Sequence, residues 1–204
     1  MGAWREYQHR LYVLDGKPLV VVRDGELGVS GYSLWVDPVH AESFRGAFRT
    51  FGAPALSHET SDTLRIESGR PAWGADMDEE TIPLEAGIEE RAISFTKGCY
   101  VGQEVIVRIL HRGHGRVARR LVGLTVSMDA AASRGSVIHS GEKEAGRVTS
   151  PALSPTAGSI ALGYVQRDFA AIGTRLSIVD GADRAPAVVV ELPFLKTASP
   201  ALDA

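Results

Sequence analysis

The chain has 204 residues, 44% of them hydrophobic and 23% charged, with a formal net charge of −3 and one cysteine. This is globular composition, with length for one large domain or two small ones, and a single cysteine excludes a disulfide framework or a cysteine-rich metal site completed within one chain. The N-terminus "MGAWREYQHR" lacks a secretory apolar core and no apolar run reaches the ~18 residues of a membrane span; with the cysteine usage this leads to the expectation of a cytoplasmic protein with no membrane partner.

In chain order, "KPLVVVRDG" predicts a strand ending at a turn, and "GYSLWV" a second strand rich in aromatic and β-branched residues. Asp37 and Pro38 then offer an N-cap and a first-turn proline to a helix through "VHAESFRGAFRTFG". Phe44, Ala47, Phe48 and Phe51 fall at helical spacing there, and Gly52 marks the stop. The resulting β-β-α order favours an α+β region. "SHETSDTLRIESG" predicts a second helix with Ser57 and Thr60 as caps, Leu64 on its apolar side and Gly69 as its end. Residues 70–90, rich in Pro, Gly and acids, read as ordered loop. "GQEVIVRILHRG" admits a helix against the preference of its β-branched run.

From Arg119 the grammar changes. "RRLVGLTV", "GSVIHS", "EAGRVTS", "SIALGYV", "TRLSIV" and "PAVVVEL" are short apolar runs separated by turn residues, the pattern of a small antiparallel barrel or sandwich. The expected organisation is an α+β region over residues 1–115, a β-barrel over 116–195 and a disordered tail over 196–204.

Charge is unevenly spread. Seven acidic and no basic residues lie between Asp76 and Glu90, whereas six basic residues and only Glu104 lie between Lys97 and Arg120. A basic island suits an anionic ligand, or it is a solvated face that offsets the acidic segment. Cys99 sits in "KGCYVGQE", two residues after Lys97 and between Gly98 and Gly102. A nearby cation can make such a thiol a nucleophile, a redox group or one ligand of a site shared with another molecule; the bland alternative is a buried small hydrophobe. The six histidines, including His111 and His114, lack the paired spacing of a zinc site, and no metal is expected. Neither a nucleophile elbow, a P-loop nor a dinucleotide fingerprint occurs. Asp76, after Gly74 in "WGADMDEE", can accept hydrogen bonds from a heteroaromatic ligand. Arg65, flanked by Leu64 and Ile66, requires a carboxylate partner or a ligand, with Asp62 and Glu67 as internal candidates.

"KGCYVGQEVIVR" resembles the signature of the YgfZ-type folate-binding proteins, relatives of the glycine-cleavage T-protein (an aminomethyltransferase). "DTLRIESGRPAWGADMDEETIPLEAGIE" and "RVARRLVGL" are similar to T-protein-like segments in the same order, so that the resemblance spans most of residues 19–195. It implies an α+β fold, a partial T-protein-like ring with a ferredoxin-like domain, followed by a small C-terminal antiparallel β-barrel. It also implies a further N-terminal region, in which the T-protein keeps its catalytic aspartate. Ser33 stands where T-protein-like sequences often carry an acid, with Glu26 as a possible substitute.

The function implied is a tetrahydrofolate-binding accessory factor in iron–sulfur cluster assembly or repair, linked to tRNA modification, with Cys99 as essential thiol and Lys97 beside it. Arg65, Asp76, Tyr100, Gln103 and Glu104 are its expected folate contacts. Its expected partners are iron–sulfur client enzymes, with tRNA contact through Arg112, Arg116, Arg119 and Arg120. The alternative is an aminomethyltransferase that passes a one-carbon unit to tetrahydrofolate, chemistry that requires no thiol. A non-enzymatic RNA-binding module ranks behind both, because no aromatic stacking platform accompanies the arginines.

Overall fold

A computed structural model describes residues 4–111, 113, 115–127 and 132–195; Arg112, His114 and the tail 196–204 lie outside the described residues. The chain divides into two compact units that part between Arg70 and Pro71. The boundary read from the sequence, near residue 115, lies instead just ahead of the barrel.

In the first unit, β1 (His9–Leu14), β2 (Lys17–Asp24) and β3 (Gly31–Val36) form an antiparallel sheet in that order. The last two are the strands expected. The first was missed, although Asp15-Gly16 announces it: both residues take positive φ, 50° and 75°, as the two central positions of a type I′ hairpin turn require. Asp37 caps a 3₁₀ turn at Pro38–His40, accepting from Val39 N at 2.9 Å, and α1 (Ala41–Thr50) follows. Of the apolar positions expected on its inner side only Phe44 is buried, while Phe48 and Phe51 are exposed. Ser57 Oγ accepts from Thr60 N at 3.1 Å and starts α2 (His58–Glu67), which Gly69 ends at a φ of 65°. Ile66, rather than Leu64, is its fully buried side chain.

The second unit opens with the segment read as loop. It contains two single-turn helices, α3 (Pro83–Ala86) and α4 (Glu89–Ala92), before α5 (Gln103–His111). Leu84, Ile106 and Val117 form a small apolar cluster, against which Ile109 and Leu110 are partly buried. Burial of Ile106, Ile109 and Leu110 along one face makes α5 helical despite its valines, since packing outweighs small propensity differences.

Strands β4 (Arg119–Val126), β5 (Val137–Ser140), β6 (Lys143–Ser154), β7 (Gly158–Gln166), β8 (Arg175–Asp180) and β9 (Asp183–Val190) follow. They close into an antiparallel barrel in the order β4-β7-β6-β5-β8-β9. The α+β class with a C-terminal barrel is as expected. Leu124, Ile138, Val148, Val165, Ile178 and Val189 fill the interior. Strand β7 is buried on both faces, which explains why "SIALGYV" is a continuous apolar run rather than an alternating one. Its close approach to β6 needs Gly146: a Cβ there would lie 1.9 Å from the Tyr164 carbonyl oxygen.

Candidate functional site

Five of the residues singled out in the sequence meet in one stretch ahead of and within the first turn of α5. Tyr100 N donates to Gln103 Oε1 at 3.3 Å, and Gln103 N to Tyr100 O at 3.3 Å. This reciprocal turn is closed by Gly102 at a φ of 86°. The Lys97 ammonium lies 4.8 Å from the centre of the Tyr100 ring, a cation–π contact. Cys99 is exposed, so the bland expectation of a buried small hydrophobe does not hold. Glu104 continues onto the open side of α5, where it lines a shallow hollow with Val107, Arg108 and His111.

Arg65 has found the carboxylate that its surroundings demanded. It is buried on α2, its Nε donating to Asp62 Oδ1 at 2.6 Å and its Nη1 to the Arg70 carbonyl at 3.1 Å. Two bonds from one rigid fork fix the plane of the guanidinium.

Asp76 is anchored to the barrel. Its Oδ2 accepts from Ala72 N at 3.0 Å and its Oδ1 from Thr149 Oγ1. The pairing of β6 with β7 shifts register between Val148 and Ser150, an irregularity of the kind that re-aims a side chain, and Thr149 lies within it. Arg134 adds bonds to the carbonyls of Gly74 and Ala75. The turn so fastened presents Trp73, 68% exposed. No local signal in the sequence marks Thr149 or Arg134 for this role, because the contact joins positions more than fifty residues apart.

Arg119 was expected in a tRNA-facing patch. Its Nε donates instead to Glu85 Oε2 at 2.8 Å, and its guanidinium lies 4.7 Å from the centre of the Tyr164 ring. The bond to Glu85 raises its pKa further above the usual arginine value. Arg116 and Arg120 are exposed. The Tyr164 ring is 7% exposed, and its hydroxyl, without a hydrogen-bond partner among the described residues, is pushed up to about 12, chiefly by burial.

In the first unit, the Ser33 hydroxyl donates to the Asp24 carboxylate, which also accepts from Glu26 N at 2.7 Å. The acid beside Ser33 is therefore Asp24 of β2, with Glu26 farther along the same hollow. No three His, Cys, Asp or Glu among the described residues come together as a metal site, and no described helix is long and apolar enough to cross a membrane.

Residues 119–196 match the glycine cleavage T-protein C-terminal barrel domain. The aminomethyltransferase of Thermosynechococcus vestitus is 35% identical over 197 residues, 96% of this chain and 53% of that one. The aminomethyltransferase of Streptomyces coelicolor is 35% identical over 188 residues, 89% of this chain and 50% of that one. The chain thus spans about half the length of these relatives. The glycine cleavage system aminomethyltransferase T of Bartonella henselae superposes with a TM-score of 0.74 at 22% identity, over 87% of this chain and 50% of that one, and shows the fold.

These relatives overturn the expected iron–sulfur accessory function: they carry the name of the alternative. The eight residues of "KGCYVGQE" point to that function, whereas the similarity to aminomethyltransferases runs along nearly the whole chain. The expected iron–sulfur clients and tRNA contact are likewise unsupported. The barrel matches a glycine cleavage T-protein domain and the chain is similar to aminomethyltransferases; neither comparison singles out the YgfZ branch.

Proposed function

We propose that this chain is part of a T-protein-like aminomethyltransferase and helps to hold tetrahydrofolate while a one-carbon unit is passed to it. The observation that carries this reading is the 35% identity to a protein named aminomethyltransferase over 96% of the chain. Arg65 supports it: a buried guanidinium, oriented by Asp62 and the Arg70 carbonyl, suits recognition of a polar ligand edge. Asp76, Tyr100, Gln103 and Glu104 are the further positions proposed for folate contacts. Lys97 and Cys99 precede Tyr100 in the chain, and the transfer assigns the thiol no step.

Calorimetric titration of tetrahydrofolate into the purified chain, after cooperative unfolding has been confirmed, tests the reading. Saturable binding is expected, weakened roughly tenfold, about 1.4 kcal/mol, by Arg65→Lys and unchanged by Cys99→Ala. A folded chain that shows no saturable binding overturns the claim that these residues hold folate.

A further inference from the structure

The loop that joins β2 to β3 is tied at three points. Gly28 N closes its turn by donating to the Gly25 carbonyl at 2.7 Å. Arg23 holds its far end, Nη1 donating to the Gly31 carbonyl at 3.0 Å and Nη2 to Ser30 Oγ at 2.7 Å. The third tie leaves the loop: Ser68 Oγ, at the C-terminal end of α2, donates to the Leu27 carbonyl at 2.9 Å.

That bond joins positions 41 residues apart and is backed by close packing. A Cβ at Gly28 would stand 2.0 Å from Ser68 Oγ and 2.1 Å from its Cβ, so the loop backbone lies directly on the serine. Gly28 also takes a φ of 75°, which a side chain would oppose. Nearby, Arg70 Nη2 lies 3.9 Å from where a Gly25 Cβ would be. Loop and helix end therefore meet at both Ser68 and Arg70.

The same helix end orients Arg65. Arg70 N donates to the Arg65 carbonyl at 2.8 Å, and Arg65 Nη1 returns a bond to the Arg70 carbonyl at 3.1 Å. The guanidinium is thus set by Asp62 within the helix and by a carbonyl just beyond it. Gly69 stands between Ser68 and Arg70, and a glycine leaves the carbonyl that follows free to turn. Fastening Ser68 to the loop restricts that freedom.

We propose that Ser68 is a positioning residue. By clasping the β2–β3 loop it fixes the turn to Arg70, and through the Arg70 carbonyl it fixes the plane of the Arg65 guanidinium. Ser68 itself touches no ligand. The inference rests on the proposed folate contact of Arg65 and adds the residue that orients it in advance, which raises affinity by lowering the cost of ordering on binding.

The test is a double-mutant cycle, read by titrating tetrahydrofolate into the purified chain. Ser68→Ala is expected to lower the affinity about fivefold, the scale of one hydrogen bond, against about tenfold for Arg65→Lys. A lysine ammonium has no plane to fix. The double variant therefore loses about tenfold, whereas independent effects would multiply to about fiftyfold. A serine that only stabilised the unit gives the fiftyfold result. Without folate, Ser68→Ala is expected to speed amide exchange at Gly28 and Arg70, and a urea midpoint confirms that the variant is folded. Independent effects in the cycle, or unchanged exchange at both amides, overturn the proposal. Folate binding by the parent chain that Ser68→Ala leaves intact overturns it alone. No saturable binding by the parent chain overturns the folate contact of Arg65, and this proposal with it.

Discussion

The barrel and the three-stranded sheet are both antiparallel, built from short strands joined by Gly-containing turns, yet they bury very different amounts of themselves. In the barrel, Leu124, Ile138, Ile160, Leu162 and Val165 are fully inaccessible; in the sheet, Leu19 at 5% is the one strand residue among the buried hydrophobics. The difference does not lie in apolar content, because "KPLVVVRD" and "GYSLWV" are as hydrophobic as the barrel strands. It lies in closure. Six strands returning on themselves leave no edge and enclose one face of every strand, whereas three strands in a row bury a face only where something else lies against it.

Substitutions measure that contrast, and the largest effects belong inside the barrel. Leu124→Ala and Ile138→Ala each cost about 2–5 kcal/mol, read as a lowered urea midpoint of the second unit, since a closed interior cannot collapse onto the cavity. Equal losses from Val20→Ala in the sheet would erase the distinction.

Alkaline pH probes the outer side of β7. Burial lifts the Tyr164 hydroxyl to about 12 from its ordinary 10.0, so between these values the unfolded chain has released a proton that the folded chain retains. Stability is therefore fully present below pH 10 and falls as pH rises toward 12, by at most about 1.4 kcal/mol per pH unit. Tyr164→Phe removes this share of the decline in a pH series of denaturation curves. At neutral pH it costs little, because the hydroxyl it deletes has no described partner.

Thr149→Val tests the fastening of the Trp73 turn to the barrel. Loss of the bond to the buried Asp76 carboxylate costs about 1–3 kcal/mol and raises amide exchange over residues 72–77. Ser57→Ala, which removes the cap of α2, costs about 1 kcal/mol in the first unit. Smallest is Trp35→Ser, at a position 71% exposed, within about 0.5 kcal/mol of the parent. A large loss there would mean that the Trp35 ring is packed rather than solvated.

Legibility followed the range of the interactions. Asp37, Ser57 and Gly69 act within three residues of themselves, and the helix boundaries they mark were readable. The barrel runs were readable too, since period-two burial and turn residues are local patterns. Strand β1 was overlooked because "HRLYVL" is exposed along its whole length, which left Asp15-Gly16 as its only strong signal. Of the two short helices, α3 rests on tertiary packing of Leu84 rather than on any periodic run of its own, and α4 buries none of its residues.

The candidate site divides along the same line. Contiguity alone gathered Lys97, Cys99, Tyr100, Gln103 and Glu104, and the need of Arg65 for a carboxylate partner was foreseeable from its apolar neighbours. The sequence by itself determined the α+β-then-barrel order, the caps and the local turn around Cys99, because hydrophobic periodicity and backbone preference act over a few residues. Only the tertiary structure decided that Thr149 secures Asp76, that Arg119 pairs with Glu85 and lies over Tyr164, and that Leu11, Val13 and Trp35 of the sheet stay exposed. Each of these depends on strand register and chain closure, which join residues tens of positions apart and leave no pattern in the residues between them.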